Sequence, residues 1–415
     1  SSPIDVLTVG DELRKSKDLE AAGGDSYIAT LSGEVATSAH AEHYARIVQE
    51  RAALRELITT TSMVNNEAYE AGDVAELLDR AMQRLFEIAS GQQRGGFKPL
   101  QPVLNILLEH LDKLHLRTDD SVTGVATGFR QLDEITSGFQ HGDLIVIAAR
   151  PSMGKTSFSL DLARYASLEK RIPVAYFSLE MASIAIAMRI IAAEARLDLH
   201  KLRSGKLTRD RDWEKLSRST SRLSEMPFFI DDTGALTIMD LRARARMLKQ
   251  QQGIGIVFID YMQLMQPPAA GSREQEVAKI SRALKGLARE LDIPVVAMSQ
   301  LSRAVEQRGE DARPQLSDLR DSGAIEQDAD LVMFIHRNLI KRDKADTDDD
   351  ELESEDNSAE IIIRKQRNGP TGTIRLTFLK QYATFEEPAT DQDRELAASR
   401  SLPPSNDRDE DDTPF

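Results

Sequence analysis

The chain has 415 residues, of which 40% are hydrophobic and 29% are charged, and its formal net charge is −15 at pH 7. This composition is typical of a folded globular protein, and the length allows two or three domains. No apolar run approaches the roughly 20 residues that span a bilayer, and the first residues lack a signal-peptide pattern, so we expect a cytoplasmic protein without a membrane partner. The chain has no cysteine, which excludes disulfides and thiolate metal sites.

Much of the negative charge lies in two acidic runs, DKADTDDDELESED (343–356) and SNDRDEDDTPF (405–415). We interpret both as solvated or disordered segments and predict that 389–415 forms a disordered acidic tail. Because salt screens charges beyond about 8–10 Å, these runs do not exclude a basic groove for nucleic acid elsewhere.

Residues 1–93 have the pattern of a helical domain. Apolar residues recur at helical spacing in 41–72, and the pattern repeats in 73–91, which predicts an antiparallel pair of helices. The chain starts without Met inside a segment that looks mid-domain, so we expect this domain to be partial. Residues 94–120 are predicted to be a linker with one amphipathic helix, whose apolar stripe needs a partner on its own chain or on a neighbouring subunit.

From residue 121 to 388 the pattern changes to short apolar runs separated by helical stretches. Buried strands that alternate with helices predict an α/β domain with a mainly parallel sheet, covered on both faces. Near the end of this region, two alternating runs flank an Asn-Gly-Pro turn, which predicts an antiparallel hairpin at the sheet edge. The five apolar runs are DLIVIAA, PVAYFSLE, IGIVFID, IPVVAMSQ and DLVMFIHR.

The stretch IVIAARPSMGKTSFSLDLA (145–163) resembles the phosphate-binding pattern G-x-x-x-x-G-K-[ST], except that Ala149 replaces the first glycine. That glycine provides no ligand atom, and alanine fits if its φ is negative. The atoms that bind phosphate are the backbone N–H groups, the lysine ammonium and the hydroxyl that contacts magnesium. We therefore predict an ATP and Mg²⁺ site formed by six consecutive residues: Ser152, Met153, Gly154, Lys155, Thr156 and Ser157.

Three other strand ends carry polar residues, and ligands of parallel sheets bind at the carboxyl ends of strands. Asp260 ends IGIVFID and is a candidate for a magnesium-binding carboxylate, together with Thr156. Glu180 is a candidate general base, and Gln300 could sense the γ-phosphate. Each residue also has an ordinary structural explanation: Asp260 could be an acid at the start of a loop, Glu180 an acid at a helix N-terminus, and Gln300 a helix-capping residue. Together, the three residues predict one phosphate site.

Two further segments carry arginines. RKQRNGPTG (364–372) is either a solvated hairpin or the source of an arginine finger that a subunit supplies to its neighbour. In LSDLRDSGAIEQDADLV (316–332), the turn at 320–323 is either stabilised by a salt bridge or contacts a phosphate backbone without reading its sequence. The seven histidines show no metal-ligand spacing, so we predict no metal besides nucleotide-bound magnesium, and we interpret Trp213 as a packing residue.

These motifs, in this order and spacing, resemble the DnaB family of replicative DNA helicases. The match includes TGFRQLDEITSGFQHGDLIVIAARPSMGKT, FSLEM, FIDYMQLM, MSQLSR, LRDSGAIEQDADLVMFIHR and KQRNGPTG, and the loop ARPSMGKT is that family's form of the Walker A motif. The resemblance implies a RecA-like ATPase domain at 121–388, preceded by a helical N-terminal domain and a linker helix. It also implies a homohexameric ring that hydrolyses ATP, moves 5′ to 3′ on single-stranded DNA and unwinds forked DNA, with a primase and a helicase loader as partners.

The resemblance assigns roles to individual residues. Lys155 and Thr156 would bind phosphates and magnesium, Glu180 would be the base, Asp260 the Walker B carboxylate and Gln300 the γ-phosphate switch. Arg367, assisted by Lys365, would be the finger in the neighbouring site. Arg320, Asp321 and Gly323 would hold DNA in a central channel, and the linker helix would dock on the adjacent subunit.

Two alternatives stay open at this stage. A RecA-type recombinase or clock-like ATPase shares the core fold but would lack KQRNGPTG and the linker helix. An alternative of another class is a nucleotide-gated DNA-binding scaffold with little turnover.

Overall fold

The computed structural model describes most of the chain. The described residues are 6–16, 18–34, 41–70, 74–89, 99–115, 122–208, 210–266, 273–301, 308, 312–319, 323–337 and 357–388. The acidic runs at 343–356 and 405–415 therefore lie outside the described residues. Among the described helices, none is long and apolar enough to cross a membrane.

The chain divides into two compact units, residues 1–97 and 98–415. The first unit contains helices α1 (Val6–Ser16), α2 (Gly24–Glu34), α3 (Ala41–Glu70) and α4 (Val74–Ala89). Helices α3 and α4 pack together, and Arg84 of α4 donates a 2.8 Å hydrogen bond to Glu67 of α3. The predicted helical character of this region is confirmed.

The second unit is an α/β domain. Its helices are α5 (Leu100–His115), α6 (Arg130–Thr136), α7 (Lys155–Leu168), α8 (Ser183–Ala195), α9 (Leu199–Ser204), α10 (Arg211–Ser224), α11 (Ile238–Gln252), α12 (Arg273–Leu291) and α13 (Gly323–Asp328). Its strands are β1 (Leu144–Ala149), β2 (Val174–Ser178), β3 (Phe228–Asp231), β4 (Ile256–Asp260), β5 (Val295–Gln300), β6 (Leu331–His336), β7 (Ser358–Gln366), β8 (Gly372–Leu379) and β9 (Thr384–Glu386).

The nine strands form one sheet in the order β3-β2-β4-β5-β1-β6-β7-β8-β9. The first six strands in this order are parallel, and β7, β8 and β9 continue the sheet in antiparallel fashion. The carboxyl ends of the parallel strands therefore share one edge, while the end of β7 lies at the opposite edge, beside the start of β6.

The core explains why the apolar runs form strands. Every residue of β1, β2, β4 and β6 is buried, as expected for parallel strands with helices on both faces. Tyr176 of β2 stacks between Phe228 and Phe258, with ring centroids 5.9 Å apart in each pair. Burial of each such side chain stabilises the fold by about 1.5–3 kcal/mol.

The five predicted parallel strands, the hairpin and the linker helix are all present. Strands β3 and β9 were not predicted as separate strands, because runs of three or four residues carry little periodic signal. The packing interpretation of Trp213 is wrong: it lies on α10, which has a strongly polar sequence, and it is 53% exposed.

Candidate functional site

The phosphate-binding motif adopts the strand–loop–helix geometry that the sequence predicts. Ala149 is the last residue of β1 and pairs with Gln300 on one side and Ile335 on the other, in extended conformation. Alanine therefore replaces the usual glycine without strain at this position. The loop continues through Ser152, which has a φ of 66°, and α7 begins at Lys155.

Gly154 is the N-cap of α7 and needs to be glycine for two reasons. Its φ is 97°, a left-handed conformation that residues with a Cβ rarely adopt. A Cβ here would also lie 2.9 Å from the Phe385 ring. The backbone can thus turn tightly against Phe385 and present the N-terminus of α7, where N–H groups favour an anion.

Lys155, Thr156 and Asp260 form a compact cluster at the carboxyl edge of the sheet. The Thr156 hydroxyl donates a 2.6 Å hydrogen bond to Oδ2 of Asp260. The Lys155 Nζ atom lies 3.8 Å from Oδ1 of Asp260 and 4.0 Å from the centre of the Tyr261 ring. Burial lowers the pKa of Lys155, and the carboxylates of Asp260 and Glu180 oppose that effect.

The cluster fits a magnesium nucleotide. Asp260 is 1% exposed, and its Oδ1 atom has no hydrogen-bond donor among the described residues. A buried carboxylate oxygen without a donor is costly unless a cation completes its environment. The Thr156 hydroxyl and the Asp260 carboxylate are oxygen ligands of the kind that Mg²⁺ prefers.

Glu180 and Gln300 reach the same cavity from the carboxyl ends of β2 and β5, the two strands that flank β4. The cavity has a volume of about 360 Å³ and is lined by both residues together with the loop and the start of α7. Glu180 lies within a turn that Ser178 closes, since the Ser178 hydroxyl donates to the Met181 carbonyl at 2.6 Å. Glu180 is exposed, so it can contact a water molecule that enters the cavity.

The remaining loop residues differ in where their side chains point. Ser152 and Ser157 line the cavity. Met153 is 2% exposed and belongs to the hydrophobic core, so its side chain does not line the cavity. A larger cavity, of about 830 Å³, lies beside the first and shares Met181 and Arg189 with it, but no residue of the phosphate-binding loop lines it.

Sequence reasoning missed three residues around this cavity. Tyr261 lies under the Lys155 ammonium, and Arg189 donates to the Ser157 hydroxyl at 3.3 Å. Gln263 donates to Ser299 at 2.8 Å and accepts from the backbone N–H of Gln300 at 3.2 Å. Tyr261 and Gln263 closely follow Asp260 in the chain, so their proximity could have been inferred; Arg189 is one of many helical arginines and gave no signal.

The predicted finger residues lie at the opposite edge of the sheet. Arg367 follows the end of β7, and its guanidinium donates to the Gln327 carbonyl at 2.6 Å and lies 3.3 Å from Oδ1 of Asp330. The Lys365 ammonium donates to the Glu326 carbonyl and, at 3.3 Å, to that of Gln327. Burial and the adjacent Arg367 lower the pKa of Lys365.

The structure does not bring Arg367 and Lys155 of one chain together. The backbone of Asp330 bonds to Leu144 and to Arg367, so Arg367 lies level with the start of β1, whereas Lys155 follows its end. At about 3.3 Å per residue, the six residues of β1 separate them by roughly 17–20 Å.

Of the predicted DNA-binding residues, Arg320 and Asp321 lie outside the described residues. Gly323 begins α13, and no described atom lies within 4 Å of the position that a Cβ would occupy there. The carbonyls at the end of α13 are those that accept from Lys365 and Arg367.

A phosphate-binding loop at the end of β1, an acid at the end of β4 and a largely parallel sheet define a RecA-like P-loop ATPase domain. Residues 124–387 match the model of the DnaB-like helicase C terminal domain, and residues 1–50 match that of the DnaB-like helicase N terminal domain. The chain belongs to the DnaB-like helicase family.

Individual relatives agree with this assignment. The chain is 45% identical to the replicative DNA helicase DnaB of Geobacillus stearothermophilus, across 92% of this chain and 83% of that protein. It is 43% identical to the replicative DNA helicase DnaB of Haemophilus influenzae, across 93% and 82% of the two chains. These relatives support the helicase interpretation and neither of its alternatives.

Two solved structures are also similar. One is an isolated ATPase domain, which matches with a TM-score of 0.62 and 37% identity, over 71% of this chain and all of that one. The other is a DnaB-like replicative helicase, described with its interactions with primase, which matches with a TM-score of 0.62 and 33% identity, over 92% and 87% of the two chains.

Proposed function

We propose that this chain is the subunit of a replicative DNA helicase that hydrolyses ATP, moves on single-stranded DNA and unwinds forked duplex. The observation that carries this proposal is that two sets of charged groups lie at opposite edges of the sheet in a RecA-like domain of the DnaB-like family. The phosphate-binding cluster lies at one edge of the sheet and the arginine finger at the other. A complete hydrolytic site then requires two subunits.

In the proposed reaction the Lys155 ammonium and the N–H groups of the loop bind the β- and γ-phosphates. Thr156 and Asp260 hold Mg²⁺, which when bound would neutralise phosphate charge. Glu180 orients the attacking water and accepts its proton, which the exposure of its carboxylate at the cavity supports. Gln300 contacts the γ-phosphate and responds to its loss.

The finger acts between subunits. Arg367, with Lys365 beside it, stabilises the charge that develops on the γ-phosphate of the neighbouring site, and such fingers raise the rate by about 10³–10⁵-fold. The separation of Arg367 from Lys155 in one chain supports this role. By resemblance, six copies form the ring, and the exposed apolar stripe of α5 docks on the adjacent copy.

DNA is proposed to lie in the centre of the ring, held by the loop that contains Arg320, Asp321 and Gly323. The arginine and the backbone N–H groups of this loop contact DNA phosphates without sequence specificity. Helix α13 begins at Gly323, in the proposed DNA loop, and its last carbonyls accept hydrogen bonds from the finger residues. A change at the finger can therefore be transmitted to the DNA loop through this one short helix. By resemblance, movement is 5′ to 3′ in the cytoplasm. A helicase loader and a primase are proposed partners, the latter because a similar structure was described with primase.

Unwinding of forked DNA tests the proposed function directly. We expect the wild-type chain to separate a fork with a 5′ single-stranded tail when ATP and Mg²⁺ are present, and the Lys155→Ala variant to lack this activity. A fork with only a 3′ tail serves as the polarity control. ATP-independent binding without strand separation would instead favour a scaffold.

A mixing experiment tests the division of the site between subunits. Lys155→Ala removes a subunit's own site but keeps its finger, and Arg367→Ala does the reverse and by itself should lower ATPase activity on the order of 10³-fold. In a random equal mixture, about a quarter of the heterologous interfaces combine an intact site with an intact finger. We expect ATPase activity to reappear in the mixture, and its absence would contradict a finger that acts between subunits.

A further inference from the structure

Asp330 has no role in the proposed function, yet it lies at the centre of a charged cluster. Its side chain is 6% exposed, and Oδ2 accepts hydrogen bonds from the Leu144 backbone N–H, at 2.8 Å, and from the Lys285 ammonium. Lys285 also donates to the Gly142 carbonyl at 2.7 Å. These contacts join the starts of β1 and β6 to α12.

The second carboxylate oxygen of Asp330 faces the finger. Its Oδ1 atom lies 3.3 Å from one terminal nitrogen of Arg367, and the other terminal nitrogen donates to the Gln327 carbonyl at 2.6 Å. The Asp330 carbonyl also accepts from the Arg367 backbone N–H at 2.9 Å. Both the backbone and the guanidinium of Arg367 are thus held by Asp330.

The two oxygens therefore have separable tasks. Oδ2 accepts from Lys285 and from the Leu144 N–H, whereas Oδ1 faces Arg367. Lys285 also lies 3.6 Å from the Asp143 carboxylate, so one lysine serves two acids. A guanidinium has five N–H donors, and two anchored terminal nitrogens leave others for a phosphate. The Arg367 side chain is 42% exposed, which leaves part of it accessible to a neighbouring subunit.

We propose that Asp330 is a positioning residue for the arginine finger: through Oδ1 it orients the guanidinium of Arg367 toward the ATP site of the adjacent subunit. This inference rests on the proposed function, in which Arg367 acts between subunits. Arginine has many rotamers, and fixing it before the reaction lowers the entropic cost of reaching the transition state. Asp330 is not among the residues that line the phosphate cavity of its own chain.

The test places Asp330→Asn in one or the other partner of the mixing experiment. When Asp330→Asn is added to the Lys155→Ala chain, which supplies only the finger, we expect kcat of the recovered ATPase to fall by about 10–100-fold with KM nearly unchanged. When it is added to the Arg367→Ala chain, which supplies only the site, we expect no change in the recovered rate. A fall in both placements would show that Asp330 acts on its own subunit's fold or site and would overturn the proposal, as would no fall in either.

Lys285→Met in the finger-supplying chain is the matched control. It disturbs the same buried cluster through Oδ2 but leaves the contact between Oδ1 and Arg367, so we expect most of the recovered rate to persist. A loss equal to that of Asp330→Asn would indicate a purely structural cluster and contradict the proposal. If the mixture with Asp330 intact shows no recovery, the finger's role between subunits fails instead, and the two failures are distinguishable.

Discussion

The chemistry of individual residues depends on a buried carboxylate whose environment is incomplete. Asp260 accepts a hydrogen bond from Thr156 on one oxygen, while its other oxygen lies near Lys155 without a hydrogen-bond donor among the described residues. A nucleotide with its cation would supply the missing charge. In the proposed phosphate site, the Oδ1 atom of Asp260 is thus the group that would gain a partner when the substrate binds.

Glu180 supplies the first prediction about a single residue. We expect Glu180→Gln to bind ATP with nearly unchanged affinity, because the amide keeps the shape of the side chain. Turnover should fall by about 10²–10⁴-fold, because the amide cannot accept the proton of water. Steady-state ATPase rates and equilibrium nucleotide binding measure the two effects.

The control for Glu180→Gln is Glu214→Gln, which removes an exposed carboxylate that pairs with Arg218 on α10. We expect this control to unwind DNA as the wild type does. Unwinding that persists in Glu180→Gln would argue against a motor driven by this residue and would favour the scaffold alternative.

Gly154 supplies a second prediction. Gly154→Ala places a Cβ in a left-handed conformation, which costs about 1–2 kcal/mol, and 2.9 Å from the Phe385 ring. We expect ATP affinity to fall by at least about tenfold, because the loop must move to relieve the contact.

Gly286→Ala is the matched control for this substitution. Gly286 lies inside α12, and no described atom lies within 4 Å of the position that a Cβ would occupy. Alanine there should stabilise the helix by about 0.5–1 kcal/mol without changing nucleotide binding. Thermal unfolding and nucleotide titration of both variants separate these outcomes. Equal ATP affinity in the two variants would contradict the requirement for glycine at 154.

Among the secondary-structure elements, the short edge strand β9 packs against α7, the helix that follows the phosphate-binding loop. Asp161 of α7 accepts hydrogen bonds from the Thr384 hydroxyl and the Phe385 backbone N–H, both at 2.7 Å. The Phe385 ring packs edge-on against Phe158, with centroids 5.4 Å apart. The edge strand thus fixes the position of α7 and of Gly154 at its start.

Asp161 makes this contact sensitive to pH. Burial raises its pKa from 3.8 to about 6, against the opposing effect of Arg164. The folded chain therefore binds this proton more tightly than the unfolded chain does. The resulting contribution to stability is fully present when the pH is below the pKa of Asp161 in the unfolded chain. It is lost as the pH rises through the pKa of Asp161 in the folded chain.

We expect the unfolding free energy of the wild type, relative to that of Asp161→Asn, to fall by about 1 kcal/mol between about pH 5 and about pH 7.5. Asparagine does not titrate, so the variant removes this contribution and retains the others. Urea unfolding of both proteins at the two pH values measures the difference. If the unfolding free energy of the wild type relative to Asp161→Asn rises with pH instead, the fold favours the charged form of the Asp161 carboxyl and the prediction is wrong.

For the molecule as a whole, the main feature is an apolar face of α5 that is exposed in the described part of the chain. Leu107 and Leu111 are 46% and 49% exposed, and Leu104 and Leu108 beside them are also exposed. An exposed apolar stripe of this kind is typical of an interaction surface. In the proposed ring, this partner is the adjacent copy.

We expect the double substitution Leu107→Glu and Leu111→Glu to reduce the proposed hexamer to smaller species, because two carboxylates cannot be buried in an apolar contact. ATP should still bind, since the phosphate site lies within one chain, while ATPase activity should fall toward that of Arg367→Ala. Light scattering, nucleotide titration and ATPase rates measure these effects. Glu109→Gln, on the opposite face of α5, is the control. An assembly mass of the double variant equal to that of the wild type would exclude this docking surface.

The amino-acid pattern alone was enough to predict the class of the domain and the residues at the strand ends. Apolar runs separated by helices allow little besides a covered parallel sheet, and the carboxyl ends of such strands share one edge. Lys155, Glu180, Asp260 and Gln300 could therefore be grouped into one site from the chain order of their motifs. The resemblance to helicases added Arg367, which periodicity and spacing could not distinguish from a solvated arginine.

In contrast, the contacts between residues that are far apart in the chain depended on tertiary packing. The antiparallel register of β7 against β6 places Arg367 beside Asp330 and away from its own phosphate site, and β9 brings Phe385 against Gly154. Hydrophobic periodicity specifies which face of an element is buried but not which distant element covers it, because that choice depends on the packing of the whole domain.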